Sequence, residues 1–351
     1  YKIYTLSPRR YGGTLSWMAS YGVDEEQTDG IGASEAIKKL ENFSNTGENF
    51  FLAVGFFRPH TPFVAPKKYF DLYSKEDIVI PESSPDYLKT IPIPAAKSVR
   101  SKKNQINLEE DLAKEIKQAY YATISFVDAQ VGRIINKLKQ TGLDKNTIVV
   151  FTSDHGYHMG EHGHWQKQTL FNNATKVPLI INVPGKDYIS KISNSPVELI
   201  DIFPTLMDLT NIISPSHVVG ESLKPIIENK SSDVRKSALT RWRNGYSIRT
   251  ESFRLTKWDI NGDFQYELYD HKFDEEELNN LALDSSYSLI RDSLIKTINR
   301  RIIQADMKPK GLGRQIENVK PTPRIKNVTY GDIHNENGKR TYLKPINDKN
   351  E

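Results

Sequence analysis

The sequence predicts an α/β fold, a mostly parallel sheet flanked by helices, with a smaller antiparallel-sheet subdomain at its C-terminal end. Three features carry that expectation. Residues 147–152 (Thr-Ile-Val-Val-Phe-Thr) form an apolar, β-branched run without alternation, the pattern of a strand buried on both faces. Leu112, Ile116, Ala119, Tyr120, Ile124, Val127, Val131, Ile134, Ile135 and Leu138 recur at three- and four-residue steps, as on the apolar face of a helix. Beyond Arg235, short strand-like runs at 238–242, 246–249, 253–258 and 266–269 are separated by turn residues that include Asn244-Gly245 and Asn261-Gly262, dipeptides that favour hairpins.

Taken in order, a helix over 34–43 places Ala36, Ile37, Leu40 and Phe43 on one side. Residues 50–56 (Phe-Phe-Leu-Ala-Val-Gly-Phe) read as a buried strand, stopped by a loop containing Pro59, Pro62 and Pro66. The Pro-, Ser- and Lys-rich stretch 81–103 reads as a long surface excursion. The strongest helix begins near Asn107 as N-cap, with Glu109, Glu110 and Asp111 in its dipole-favoured first turn, and Gly142 ends it. A strand over 178–183 and a helix over 201–209 continue the alternation, giving an α/β core over 1–234. The antiparallel subdomain spans 235–306, with a helix over 286–303 covering one face, and 307–351 is expected to be an irregular basic tail.

The chain has 351 residues, 37% hydrophobic and 26% charged, enough for one large domain and a small one. No window supplies the roughly 18 uncharged apolar residues of a membrane span, so none is expected. The absence of cysteine excludes a disulfide framework, a thiolate metal site and a cysteine nucleophile. The net charge of +4 sits in the tail, where residues 307–351 hold ten basic and five acidic side chains. No nucleic-acid-binding signature accompanies it, and no nucleic-acid partner is expected.

Of eight histidines, His155, His158, His162 and His164 fall within ten residues just after the 147–152 strand. Ligands of open α/β sheets bind at the carboxyl ends of strands. Asp154 and His155, with Gly156 permitting a sharp turn, can there aim an oxygen and a nitrogen at one cation. On spacing alone, a solvated polar loop is an equal reading.

The segment 152–167, Thr-Ser-Asp-His-Gly-Tyr-His-Met-Gly-Glu-His-Gly-His-Trp-Gln-Lys, closely resembles the second metal-site motif of type I sulfatases, particularly the iduronate-2-sulfatase-like branch. Residues 50–62, ending Arg-Pro-His-Thr-Pro, are similar to that branch's active-site histidine loop. Val177-Pro178-Leu179-Ile180, the Ile-Phe-Pro-Thr-Leu core at 202–206, Glu267-Leu268-Tyr269-Asp270 and Asn280-Leu281-Ala282 follow in the family's order. The resemblance spans about 33–282. It implies an alkaline-phosphatase-like fold and a sulfuric ester hydrolase acting on a sulfated carbohydrate, in this branch a sulfated uronic acid-containing glycan.

The resemblance further implies one divalent cation, normally calcium, held in part by Asp154 and His155. His155 stands where many members carry Asn. Lys167 would bring its ammonium to a sulfate oxygen, and His60 would hydrogen-bond the sulfate or protonate the leaving group. Arg58, His164 and Trp165 are expected to meet the substrate, Trp165 as a stacking platform for a sugar. The family's nucleophile is a formylglycine made in a Cys/Ser-x-Pro/Ala-x-Arg motif, which is not found here; Ser7-Pro8-Arg9-Arg10 has the wrong spacing. By order of landmarks the chain corresponds to the C-terminal two-thirds of a sulfatase, its partner being the missing N-terminal segment, and alone it is expected to be inactive. A periplasmic, extracellular or lysosomal location follows from the resemblance. Two rivals remain: a phosphodiesterase or phosphonate hydrolase of the same superfamily, and a non-catalytic sulfated-glycan binding module.

Overall fold

The computed structural model describes residues 4–6, 15–83, 86–101, 105–185, 192–307, 333–334 and 340–341. Two compact units emerge, one of Tyr1–Ser214 with Val219–Ala305, the other of Pro215–Val218 with Asp306–Glu351. The β-rich C-terminal region up to Ala305 therefore shares a unit with the α/β region.

In the first unit, β1 (Tyr4–Thr5) pairs antiparallel with β2 (Ser16–Ser20), and β2 pairs parallel with β3 (Phe63–Pro66), Trp17 opposite Phe63. Between them α1 (Thr28–Thr46) extends beyond the expected 34–43 at both ends and stops where Gly47, at φ +68°, donates its N–H to Phe43 O. The stretch 50–56 is the first correction. It runs without strand pairing among the described residues, with Phe51 84% exposed. A strand signal in side chains becomes a strand only when a neighbour takes its backbone groups.

A short α2 (Lys67–Phe70) leads to the region expected as surface excursion, which instead contributes to the core. Leu88, Ile91 and, from α3 (Ile93–Val99), Ala95 and Val99 pack with Leu170, Phe171, Trp258 and Tyr269. Pro92 precedes α3, where its missing N–H costs nothing. The long helix α4 (Glu110–Gln140) starts three residues later than expected, because Asn107 sits in the left-handed region at φ +48° and bonds to Gly163 O rather than capping. Its most buried stripe, Ala113, Ile116, Ala119, Ala122, Phe126 and Gln130, is rotated from the expected face, leaving Ile124 exposed. That stripe packs on β2 and β3 through Trp17, Phe63 and Ala65.

Then come β4 (Val149–Thr152), α5 (Asn172–Thr175), β5 (Leu179–Asn182), α6 (Ile202–Leu209) and α7 (Lys224–Ile227). The alternation of strand and helix holds, but β4 pairs antiparallel with β5, and the one parallel pair among the described strands is β2–β3. β4 is not buried on both faces as expected: Phe151 and Thr152 are exposed, and Ile180 opposite Phe151 is 60% exposed.

The C-terminal sheet follows the sequence closely. β6 (Ala238–Trp242), β7 (Gly245–Arg249), β8 (Phe253–Ile260) and β9 (Asp263–Asp270) form one antiparallel meander. α8 (Ser288–Asp306) buries Leu294 and Ile298 against Ile248, Leu255 and Leu268. Arg235 ties it to the segment before α6, bonding to Glu198 at 2.8 Å and to Asp201, while Arg301 of α8 reaches Glu198 at 2.6 Å. In the second unit, β10 (Ile333–His334) pairs with β11 (Arg340–Thr341) in an antiparallel register. Most of the expected irregular tail lies outside the described residues.

Candidate active site

Two loops carry most of the candidate site residues. The first follows the unpaired stretch 50–56, where His60 N donates to Phe57 O at 2.9 Å and closes a turn containing the cis Arg58–Pro59 peptide. Asp29, in the first turn of α1, accepts from Phe57 N at 2.8 Å and from Arg58 N at 2.9 Å. The Arg58 side chain turns toward the protein, Nε donating to Val64 O at 2.9 Å. His60 is exposed, and its Nδ1 lies 2.6 Å from Thr61 O. A carbonyl only accepts, so Nδ1 carries the proton and Nε2 is the nitrogen offered to solvent.

The second loop leaves β4. Asp154, its side chain 84% exposed, accepts from His155 N at 3.1 Å through Oδ1, and its Oδ2 lies 3.4 Å from His155 Nε2. His155 Nδ1 meets Gly156 O at 2.8 Å, which again puts the proton on Nδ1 and leaves the Nε2 lone pair on the side of the Asp154 carboxylate. An oxygen and a nitrogen so placed can share a divalent cation, and the exposed carboxylate suits a hard ion such as calcium. These residues fit as part of a coordination shell. No group of three or more His, Cys, Asp or Glu converges among the described residues. Gly156 N donates to Ala174 O at 2.9 Å, and a Cβ at 156 would stand 2.0 Å from Asn173 O, so this loop lies flat against α5.

Aromatic packing joins the two loops. Phe63, three residues after His60, meets Tyr157, two residues after His155, edge to face at 6.4 Å, and Tyr157 stacks on Tyr120 of α4 at 6.0 Å. Residues 158–166 then fold back on themselves, His158 N donating to Gln166 O and Gly160 N to His164 O, with His162 at φ +56° and Gly163 at φ +68° making the reversal. Lys167 emerges from it half-buried, and among the described residues its ammonium has no hydrogen-bond or ion-pair partner.

Two expectations of substrate contact are corrected here. His164 is 0% and Trp165 1% exposed, and Trp165 belongs to the core with Phe63 and Phe126. A ring enclosed on all sides offers no face to a sugar. His158, His162 and His164 form a buried set, centroids 5.1 Å apart for His158–His164 and 5.5 Å for His158–His162. Burial pushes His162 and His164 down to about 4, and His158 well below its ordinary value. His158 Nε2 meets Thr169 Oγ1 at 2.8 Å, while both ring nitrogens of His162 lack a partner among the described residues and its ring stacks on Phe171 at 4.1 Å.

Sequence reasoning missed what anchors this region. Glu277, wholly buried at φ +60°, accepts from Asn172 N at 2.8 Å and from Arg254 Nε at 2.6 Å, and meets His271 Nε2 at 2.7 Å. Burial alone would raise its carboxyl, but Arg254, His271 and the Asn172 amide bring it down to about 2. It thus fastens the start of α5, and α5 in turn fastens Gly156. An acidic run at 274–277 looks like solvated surface, and no periodicity singles out its last member. Asp29 left no trace, because it lies five residues before the helix expected at 34–43.

The sulfatase family model matches residues 11–212, and the model for the C-terminal region of N-sulphoglucosamine sulphohydrolase matches 160–304. A sulfatase of Formosa agariphila is 35% identical over 269 residues, covering 74% of this chain and 52% of that protein. Iduronate 2-sulfatase of Mus musculus is 33% identical over 299 residues, covering 64% of this chain and 54% of its own. Phosphonate monoester hydrolase from Silicibacter pomeroyi superposes with a TM-score of 0.73 at 24% identity, over 82% of this chain and 62% of that one, a likeness of fold. The chain spans about half the length of the curated relatives it matches. With more than half of its residues inside the family model and an ordered series of site motifs on an alkaline-phosphatase-like fold, the chain belongs to the sulfatase family.

Proposed function

We propose that this chain is the larger part of a sulfuric ester hydrolase acting on a sulfated carbohydrate, a glycan containing sulfated uronic acid. The observation that carries the reading is the Asp154–His155 pair at the carboxyl end of β4, linked through the Tyr157–Phe63 contact to the His60 loop. The relatives named for iduronate 2-sulfatase support the substrate class. The additional length of the relatives is where we assign the formylglycine nucleophile and the remaining cation ligands. When bound, a calcium ion would supply positive charge to the sulfate oxygens.

The residues of this chain do the rest. Asp154 and His155 hold the cation. Lys167, whose ammonium has no partner among the described residues, binds a sulfate oxygen as a point charge. His60 holds its proton on Nδ1 against Thr61 O, so Nε2 is the atom that exchanges a proton with the bridging oxygen as the alcohol departs. Arg58, whose Nε donates to Val64 O, contributes by shaping the His60 turn at the place where we expect an acidic sugar to dock. No helix among the described residues is long and apolar enough to cross a membrane, and the family reading assigns the protein to a periplasmic, extracellular or lysosomal compartment.

The likeness to phosphonate monoester hydrolase favours testing one alternative. Co-expressing this chain with the segment encoded upstream, then comparing sulfate release from sulfated uronic acid oligosaccharides with turnover of phosphonate monoesters, separates the two. We expect sulfate release, abolished by a chelator, and none from the 351-residue chain alone. Turnover of phosphonates with no sulfate release would transfer the chain to the alternative reading. Glycan binding without hydrolysis of either ester would make it a binding module.

A further inference from the structure

We propose that Asp29 is a positioning residue for His60, acting through the backbone of the turn that carries it. The task named for His60 rests on the sulfatase reading above, whereas the geometry does not. Asp29 is 3% exposed, and among the described residues it has no cationic partner. A carboxylate buried without a counter-ion is costly unless its oxygens are satisfied by strong donors. Both are: Oδ1 takes Phe57 N at 2.8 Å and Oδ2 takes Arg58 N at 2.9 Å. The donors are successive amides of the turn closed by His60 N to Phe57 O, so the two bonds fix the first peptide planes of the turn that ends in His60.

Asp29 itself is held firmly. A Cβ on the next residue, Gly30, would stand 1.7 Å from Asp24 O, so the first turn of α1 is pressed against the preceding turn at Asp24–Glu26. On the other side, residues 50–56 have no strand partner among the described residues. The carboxylate is therefore a tether that, beside the bond from Arg58 Nε to Val64 O, sets where the turn rests. Its competing role is an ordinary one, an acid in the first turn complementing the helix macrodipole.

The two roles separate by experiment in the full-length polypeptide. Asp29→Ala should speed amide exchange at Phe57 and Arg58 by about 10- to 100-fold. It should also displace the His60 ring nitrogen resonances and lower kcat by about 10- to 100-fold while KM stays within about threefold. Asp29→Asn, which keeps one acceptor, should fall between. Adding Thr28→Asp to Asp29→Ala restores a first-turn carboxylate without the two bonds, so thermal stability should recover while exchange and kcat should not. Unchanged exchange in Asp29→Ala would overturn the proposal, as would full recovery in the double variant. Should Asp29→Ala fail to fold, Asp29→Asn with unaltered exchange at both amides has the same force. If the parent enzyme released no sulfate, the function reading would fail, and exchange and resonance shifts would still decide the role of Asp29.

Discussion

At position 156 there is no room for a side chain. A methyl group there would meet Asn173 O at 2.0 Å and Lys176 O at 2.8 Å, both backbone atoms that can move only with α5. Gly156→Ala should therefore cost about 1–3 kcal/mol, read as a lower denaturation midpoint, because backbone shifts accompany overpacking. On the proposed reading that Asp154 and His155, which precede Gly156 directly, hold a divalent cation, the same shift should weaken cation binding in the full-length protein, and titration calorimetry would register this. A wild-type midpoint and affinity in Gly156→Ala would mean that the loop is looser than described. On the proposed reading of Lys167 as a sulfate-binding ammonium, Lys167→Ala should lower kcat/KM by about 100- to 1000-fold, comparable to the loss of one transition-state donor, with little change in stability because that ammonium has no partner among the described residues. The density of histidines at 155–164 was visible in the sequence, and so was the Asp-His pair. Their division of labour was not. Alternation of burial along a tight loop has no period, so nothing in the spacing shows that His155 faces outward while His158, His162 and His164 face inward.

Among the elements, legibility tracks how local the determinants are. β6 to β9 were readable to within three residues because the turns Asn244-Gly245 and Asn261-Gly262 set the meander. α4 and α8 were readable because long helices average over many positions. α3 was hidden by the prolines of 81–103, although Pro92 stands where a helix tolerates it. β2 and β3 are short, and what makes them strands is each other, across more than forty residues. Residues 50–56 show the converse, strand-like side chains without a described neighbour. At this scale Glu277 is decisive, because it joins β8, through Arg254, to the start of α5. Glu277→Ala would leave the buried Arg254 guanidinium with only the more distant Glu267, at 4.0 Å, as counter-charge, a loss of about 3–5 kcal/mol by chemical denaturation. Glu277→Gln should lose less. Equal midpoints for wild type and Glu277→Ala would show that the pair contributes nothing net.

For the whole molecule, the buried histidines predict an acid response. Each has a folded value below its unfolded value near 6.5, so the unfolded state binds more protons as pH falls. Their contribution is intact above about pH 6.5 and declines toward pH 4, each group adding a slope of up to about 1.4 kcal/mol per pH unit. Glu277, lowered to about 2, holds its contribution until pH drops below its unfolded value of 4.5, and Glu267, raised by burial, works against the histidines. Urea midpoints should fall from pH 7.5 to pH 5, and His164→Gln should flatten that fall; a flat wild-type profile would refute it. One further consequence lies in the bond from Asn172 to Glu277, which crosses 105 positions of sequence. A ribosome adding about 5–20 residues per second finishes the histidine loop roughly 5–20 s before it supplies the acid that clamps it. Throughout that interval the nascent chain carries Asp154 and His155 on a loop without its Glu277 clamp, so the loop settles only after the C-terminal sheet has been made.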